Sequence, residues 1–536
     1  MEGIKQKTLL DLPHEVLGLI CRQVDDNNSL LSLATANKDL YVRLRPHLYS
    51  SIVLRELSSS QCARLFQDHE GDRLPEESPR YWPGILSLLS SLSDSRPTRE
   101  SVRDLTVIYC ASNLLTYGWT QADLTTLEED AFKVLQRETT VEHITDDQSC
   151  EAAFFDLLVS SLLNLMPSLH SLEILSRTAA YQDRTSFLDD RYPLTRNMLV
   201  LGDIGGLSSL QMLTRLSLRR EAYDVGFHHW RMSVDVLHDL IQALPRLEEF
   251  NIAWADLWTD KRATKSQKQC PGPDSTMKRL RLNYCNLEPC CSTLAPLFAL
   301  PIGLQSIHSL FGDFQVLVYD WDSENYPFKG SGSVWAALAP HKNTLQDLHL
   351  EWDDLMFLIC ASDEEKLEYH TALCRYDLGD FSIFEHLRRL YIADFWIAVL
   401  VRDWERPQST RQQSLWAALP PRLEELGILC TSNLPRIDRS SVPGVLLALP
   451  FMLDGSPGSL KLLILEIYAG HFSADESKIP PPVEPFRIAP YGQVDLLITR
   501  TYYDSSSFTR QHRLWAYSSA WIRGNWWGKM EVWTNS

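Results

Sequence analysis

The sequence predicts an α/β fold in which a small helical N-terminal region precedes a long, irregular solenoid of parallel strands. A leucine motif recurs through the middle of the chain, and amphipathic helical segments lie between its copies. The first fifty residues carry short helical patterns instead. With 536 residues, the chain is long enough for several domains or for one extended array of repeats.

The predicted N-terminal region is a bundle of three short helices. Pro13 suits the start of the first helix, where Val16, Ile20 and Val24 recur every four residues and give one apolar face. Leucines continue through the second and third segments, and Arg45-Pro46 ends the helical run. A bundle of this size buries too little surface to be very stable alone, so we expect a partner or the following domain to complete it.

This N-terminal region resembles an F-box. The likeness is carried by Leu12-Pro13-His14-Glu15-Val16-Leu17-Gly18-Leu19-Ile20, Leu30-Leu31-Ser32-Leu33, Asn37-Lys38-Asp39-Leu40 and Arg45-Pro46-His47-Leu48-Tyr49. The last of these is similar to the ending common in fungal proteins, while Leu40 stands where many F-boxes have Trp.

The resemblance implies docking on a Skp-family adaptor of a cullin-RING ubiquitin ligase. It implies adaptor contacts at Leu12, Pro13 and Glu15, with Ile20, Leu30 and Leu33 near or in the interface. Contact is the favoured role for Leu12 and Pro13, at the end of the bundle. The alternative for Ile20 and Leu33 is that they fill the core of the bundle itself.

The repeated motif is Leu-x-x-Leu-x-Leu. Its copies begin 27 to 44 residues apart, against 20–29 in consensus repeats, so most copies carry insertions. An early degenerate copy begins at Val102, and a weak one at Leu304 fails at Ser309. The eight reasonable copies begin at Leu169, Leu213, Leu247, Met277, Leu345, Leu387, Leu423 and Leu460.

This motif predicts stacked parallel strands. A side-chain period of two sends both leucines of Leu-x-Leu inward and the residue between them outward. Segments such as Ser233–Leu244, Ser333–Leu338 and Ser414–Leu419 read as the helices between strands. The pattern is typical of a leucine-rich-repeat solenoid, with strands on the concave face and helices and loops outside.

The concave face of a solenoid usually binds its partner. Aromatic and arginine side chains are common interface anchors, and the predicted substrate-contact set is rich in them. The alternative is that these side chains pack against neighbouring loops. The set is Arg219, Trp254, Arg281, Tyr284, Glu351, Trp352 and Tyr391; Asn251, Asn283, His349 and Asp394 are also predicted to point outward.

Charge and cysteine content limit the partners. The 51 basic and 69 acidic residues give a net charge of −18, which disfavours nucleic acid and favours a basic protein partner if charge recruits one at all. The eleven cysteines have no regular pairing and indicate reduced thiols. We find no signal peptide and no apolar run of membrane-spanning length, so we expect a cytoplasmic or nuclear protein with no membrane partner.

The sequence contains no motif of an enzyme. His14-Glu15 begins an HExxH pattern, but Gly18 stands where the second histidine would be. Cys285 is predicted to be a buried structural thiol and not a metal ligand. We therefore predict no catalytic residue, no metal and no cofactor.

The predicted boundaries are an F-box at 1–55, a helical linker at 56–100, the solenoid at 101–470, and a Pro-rich linker with an aromatic cap at 471–536. Val494–Ile498 reads as a further strand, and capping is preferred over RNA stacking for the Trp-rich end. The predicted function is substrate recognition for a ubiquitin ligase. A non-ligase interaction scaffold and, with little support, an enzyme with an unrecognised site are the alternatives.

Overall fold

The computed structural model describes residues 12–24, 27–55, 82–111, 159, 162–163, 165–178, 210–222, 230–253, 255–258, 276–287, 303–311, 338–352, 381–393, 419–430, 458–472, 486–491 and 494–504. The chain forms two compact units. The first comprises Met1–Glu221 with Asp239–Glu248, and the second comprises Ala222–His238 with Glu249–Ser536. Each contains parallel strands, so the predicted α/β class and solenoid-like strand stacking are confirmed.

Three helices open the first unit: α1 (His14–Gln23), α2 (Asn27–Ala36) and α3 (Lys38–Leu48). Asn37 caps α3, because its Oδ1 accepts hydrogen bonds from the amides of Asp39 (2.7 Å) and Leu40 (3.4 Å). The helices share a core of Leu17, Cys21, Leu30, Ala34, Leu40 and Leu44.

Two details of these helices differ from the prediction. The core face of α1 is formed by Leu17 and Cys21, with Val24 packed beside them, whereas Val16 and Ile20 are exposed. A four-residue spacing fits either face of a helix, so the spacing alone does not identify Leu17 and Cys21 as the buried side. Helix α3 also continues past Pro46 and ends at Leu48, although a proline inside a helix has no N–H to donate to the carbonyl four residues earlier.

The sheet of the first unit begins earlier than the leucine motif. Strand β1 (Ser51–Arg55) pairs in parallel with β2 (Asp104–Ala111), which pairs in parallel with β3 (Ser171–Thr178). Strand β4 (Arg215–Ala222) follows β3 in the sheet order. Helices α4 (Trp82–Asp94) and α5 (Arg96–Ser101) lie between β1 and β2 in sequence. The end of the predicted F-box thus forms a strand of the sheet.

Helix α6 (Val234–Ala243) confirms the predicted amphipathic segment. Val234, Leu237, Leu240 and Ile241 recur at helical spacing and are all buried. Of the other two predicted helices, only Leu338 and Leu419 lie within the described residues, and both are buried.

The second unit contains a longer sheet. Its strands are β5 (Trp230–Ser233), β6 (Glu249–Ala253), β7 (Ala255–Trp258), β8 (Arg279–Leu287), β9 (Ser306–Phe311), β10 (Asp347–Trp352), β11 (Arg389–Ala393), β12 (Glu425–Cys430), β13 (Leu462–Phe472), β14 (Phe486–Tyr491) and β15 (Val494–Asp504). The order in the sheet is β6-β8-β9-β10-β11-β12-β13-β15-β14, and neighbouring strands are parallel, except that β14 runs antiparallel to β15. The short strand β5 pairs with β7, which also pairs with the end of β8.

One hydrogen-bond arrangement recurs before successive strands. The carbonyl of Gln305 accepts from the amides of Gln346 (2.8 Å) and Asp347 (3.0 Å), and the carbonyl of Gln346 accepts from Arg388 and Arg389 in the same way. The carbonyls of Ser50, Arg103, His170, Lys278, Arg388 and Glu424 each accept from two successive amides likewise. The arrangement fixes the register between neighbouring repeats, and it gives the backbone amides at the start of each of these strands a hydrogen-bond acceptor.

The leucine motif fills the core as predicted. In the second unit, Phe250, Leu280, Leu348, Leu390 and Leu426 occupy equivalent strand positions and are completely buried. The weak copy also forms a complete strand, since Ser309 takes the second inward position of β9 and is 0% exposed. Strand pairing on both sides holds β9 in place although its inward side chain is polar. The predicted strand Val494–Ile498 is confirmed within β15.

Candidate functional site

Helix α1 presents an exposed apolar face in the first unit. Val16, Leu19 and Ile20 are spaced three and four residues apart, so they share one side of the helix. Their exposed fractions are 40%, 60% and 37%, while Leu17 and Cys21 on the opposite side are buried. An apolar face left open beside a filled core is a candidate docking surface for another protein.

The other two helices of the bundle add exposed apolar side chains. Half of the surface of Leu31 in α2 is exposed, and Val42 in α3 is 62% exposed. The Arg43 guanidinium donates a hydrogen bond to the Leu12 carbonyl (3.0 Å), which ties the start of α1 to α3. Leu12 and Pro13 directly precede α1, and Pro13 is its N-cap residue.

The six predicted adaptor contacts fall in different environments. Pro13 and Ile20 are exposed, and Leu12 is half-buried. Leu30 lies in the core, with Leu33 packed against it and half-buried. Glu15 lies in the first turn of α1. Sequence reasoning missed Leu19, the most exposed apolar residue of α1, because the motif alone does not separate the outer face from the core.

A second candidate surface is the outward face of the sheet in the second unit. The middle positions of the strands are in register, so Asn251, Arg281, His308, His349 and Tyr391 form one row across five strands. The row changes character along its length. Asn251 and Arg281 are partly exposed, whereas the next three are buried.

The buried part of this row is an aromatic stack. The imidazoles of His308 and His349 stack with centroids 4.1 Å apart, and the His349 ring lies 4.3 Å from that of Tyr391. His349 and Tyr391 are 0% and 1% exposed. We therefore assign Tyr391 to the buried stack, and the exposed part of the row is limited to its β6 and β8 end.

Charged side chains form clusters at the first position of the strands. Arg279 bonds Glu249 through Nε (3.2 Å) and Nη2 (3.1 Å), and the Arg281 Nη2 lies 3.6 Å from the second oxygen of Glu249. Further along the sheet, Arg389 pairs with Asp347. Burial acts to lower the pKa of Arg389, but the hydrogen bond and charge of Asp347, together with the charges of Glu425 and Glu424, outweigh it and raise that pKa.

The remaining predicted substrate contacts are spread over both units. Arg219 in the first unit is bound to Glu173 at 3.1 Å, so its guanidinium already has a carboxylate partner. Glu351 and Trp352 are backbone positions of β10 that pair with Leu310 and Phe311, and Tyr284 is a position of β8. Trp254 and Asp394 lie outside the described residues, as does the Trp-rich segment after 504.

The described residues offer little for chemistry. Among them, no three His, Cys, Asp or Glu side chains approach closely enough to hold a metal ion. Cys285 is completely buried, with its Sγ near the carbonyls of Asn283 (3.6 Å) and Ile252 (3.8 Å), as predicted for a structural thiol. Burial raises the pKa of the Cys21 thiol, which keeps it protonated and unreactive.

No protein-family model matches the chain, and a search of curated proteins finds no match either. Within the part of the chain that the structure describes, we find no helix with the length and apolar character needed to cross a bilayer.

Proposed function

We propose that this protein is the substrate-recognition subunit of an SCF-type ubiquitin ligase. The α1–α3 bundle would dock on a Skp-family adaptor, and the parallel sheet would hold a target protein. The observation that carries the proposal is the exposed Val16–Leu19–Ile20 face of α1 within the segment that resembles an F-box. An interface core needs such apolar side chains, while Leu17 and Cys21 keep the bundle folded.

In this role the protein supplies no reacting group. It would bind the adaptor through one surface and the target through another, which raises the effective concentration of target lysines near the ubiquitin thioester. The partly exposed polar end of the outward row, at Asn251 and Arg281, supports a protein-binding role for the sheet. The target in this role is a protein; the whole-chain charge of −18 favours the approach of a basic one, whereas each contact depends on the local charge of the strand side chains.

The proposal is tested by co-purification of the tagged full chain with adaptor and cullin. A Leu12→Ala/Pro13→Ala variant should lose both proteins, because the F-box resemblance implies adaptor contacts at these two residues. Val53→Ala is the matched control, since Val53 is an exposed apolar residue of β1 outside the helices. Capture of adaptor without cullin would favour a non-ligase scaffold, and capture of neither by a well-expressed wild type would reject the docking role.

A further inference from the structure

The charged cluster at the β6 and β8 end of the outward face contains two arginines and one carboxylate. Arg279 and Arg281 stand two residues apart on the same side of β8 and share Glu249 of β6. Arg279 makes two close contacts with Glu249, whereas Arg281 reaches it only at 3.6 Å, beyond a good hydrogen bond. Both arginine side chains keep close to half of their surface exposed, at 45% and 44%.

The carboxylate that pairs with these arginines lies on the β6 side of β8. Glu249 pairs in register with Arg279 from the β6 side, but on the β9 side the residues paired with Arg279 and Arg281 are Ser306 and His308. Neither of these carries a carboxylate.

The second charged cluster of this unit is different. Arg389 is bonded to Asp347 of β10 and stands in register with Glu425 of β12, so acidic residues flank it on both sides. Its guanidinium is half-buried, with 32% of the side chain exposed. The Arg279–Arg281 pair has unused donors by comparison, since a guanidinium offers five N–H groups.

We propose that Arg279 and Arg281 bind a carboxylate of an acidic segment in a target protein, at the β9 side of β8 over Ser306. This inference rests on the proposed function in one respect, namely that the ligand belongs to a target protein of the ligase. Arginine forks match carboxylates in shape and charge, and Arg279 already contacts one oxygen of Glu249 through both Nε and Nη2 within this protein.

The nearest outward side chains are neutral, and Asp347, the carboxylate in register with Ser306 on β10, is already paired with Arg389. Asn283 donates from its Nδ2 to the Oδ1 of Asn251 (3.3 Å), so the adjacent outward positions hold neutral amides. Strands lie about 4.8 Å apart, which puts Ser306 close enough for its hydroxyl to donate to the same ligand. The net charge of −18 acts mainly at longer range, where salt screens it beyond about 8–10 Å.

The test is fluorescence anisotropy with the purified full chain and a fluorescein-labelled oligoglutamate peptide. The peptide should bind the wild type, and its glutamine counterpart should not. Arg281→Gln should weaken binding by about three- to tenfold, the value of one charge-assisted contact at a partly exposed site. Arg215→Gln is the matched control, because Arg215 is also exposed and ion-paired, at 3.2 Å to Asp104 in the first unit.

A second variant gives a gain of affinity that misfolding would not produce. Glu249→Gln removes the carboxylate that competes for both arginines, so the oligoglutamate peptide should bind more tightly than to the wild type. Equal binding by wild type and Arg281→Gln, equal binding of the glutamine peptide, or no gain in Glu249→Gln would overturn the inference. Peptide binding needs no adaptor, so its failure is distinct from a failure of adaptor capture.

Discussion

The imidazole of His308 stacks on that of His349 at a centroid distance of 4.1 Å, with the two ring planes 26° apart. Both residues occupy the middle, outward position of their strands, and Ile307 and Leu348 beside them face the core. Outward-facing therefore does not mean exposed in this part of the sheet. The stack acts as a second packed layer on the outward face.

Truncation of this stack should destabilise the second unit. We expect His349→Ala to lower the free energy of unfolding by about 2–4 kcal/mol, because it leaves a cavity beside His308 and Tyr391. Hydrogen exchange of the β10 amides measures the effect. His386→Ala is the control at an exposed position, where the change should stay within about 0.5 kcal/mol. Equal effects in the two variants would refute the packing role.

The same substitution on the two faces of α1 should separate folding from docking. Leu17→Ala should cost about 2–5 kcal/mol of local stability, since Leu17 is completely buried. Leu19→Ala should change stability by less than about 0.5 kcal/mol, because Leu19 is 60% exposed. Under the proposed function it should still weaken adaptor capture. Hydrogen exchange of α1 and a pull-down measure the two effects; a stable Leu19→Ala variant with full adaptor capture would remove Leu19 from the docking surface.

One ion pair predicts a small dependence of stability on pH. The hydrogen bond from Lys461 to Glu424 (2.6 Å) lowers the pKa of Glu424, which burial opposes and nearby arginines reinforce. A depressed folded-state pKa stabilises the protein above the unfolded pKa of about 4.3, and the stabilisation is lost as pH falls through the folded value.

Lys461→Met should therefore lower stability at neutral pH by less than about 1 kcal/mol, because the Lys461 side chain is largely exposed and solvent screens the pair. The difference from wild type should shrink below pH of about 4 in urea titrations at several pH values. Lys342→Met is the control at another exposed lysine. A difference that stays constant into acid would show that lost packing, and not the ion pair, is responsible.

The thiol of Cys21 should report on the integrity of the bundle. Burial raises its pKa, so alkylation by iodoacetamide should be slow in the native protein and fast in urea. Leu17→Ala should speed the labelling of Cys21, because both side chains lie in one core. Peptide mass spectrometry follows the modification. Rapid labelling of native Cys21 would contradict the described packing of α1.

Much of the fold is predictable because the same positions of the leucine motif are buried in each described repeat. Every described inward position of the leucine motif is buried, from Val102 to Leu463, and the amphipathic run of α6 forms a helix. Strand β9 was harder to predict, since Ser309 breaks the motif and only pairing with β8 and β10 keeps the strand regular. Neighbouring strands outweigh local propensity here.

The candidate sites were less predictable. Period-two alternation places His349 and Tyr391 outward, but it contains no information on what packs over them. The Arg279–Arg281–Glu249 cluster depends on register between β6 and β8, which are 26 residues apart from Ala253 to Arg279. On α1, a four-residue spacing describes both faces, so only the structure separates Ile20 from Cys21.

The most direct test of the proposed function is isothermal titration of the purified full chain with a purified Skp-family adaptor. The account predicts one-to-one binding that Ile20→Asp weakens at least about tenfold, a change of 1.4 kcal/mol, because the charge enters the exposed face of α1. Val53→Asp, outside the bundle, should bind like the wild type. Absence of binding by a folded wild-type protein would contradict the account and leave only a sheet protein with an unassigned partner.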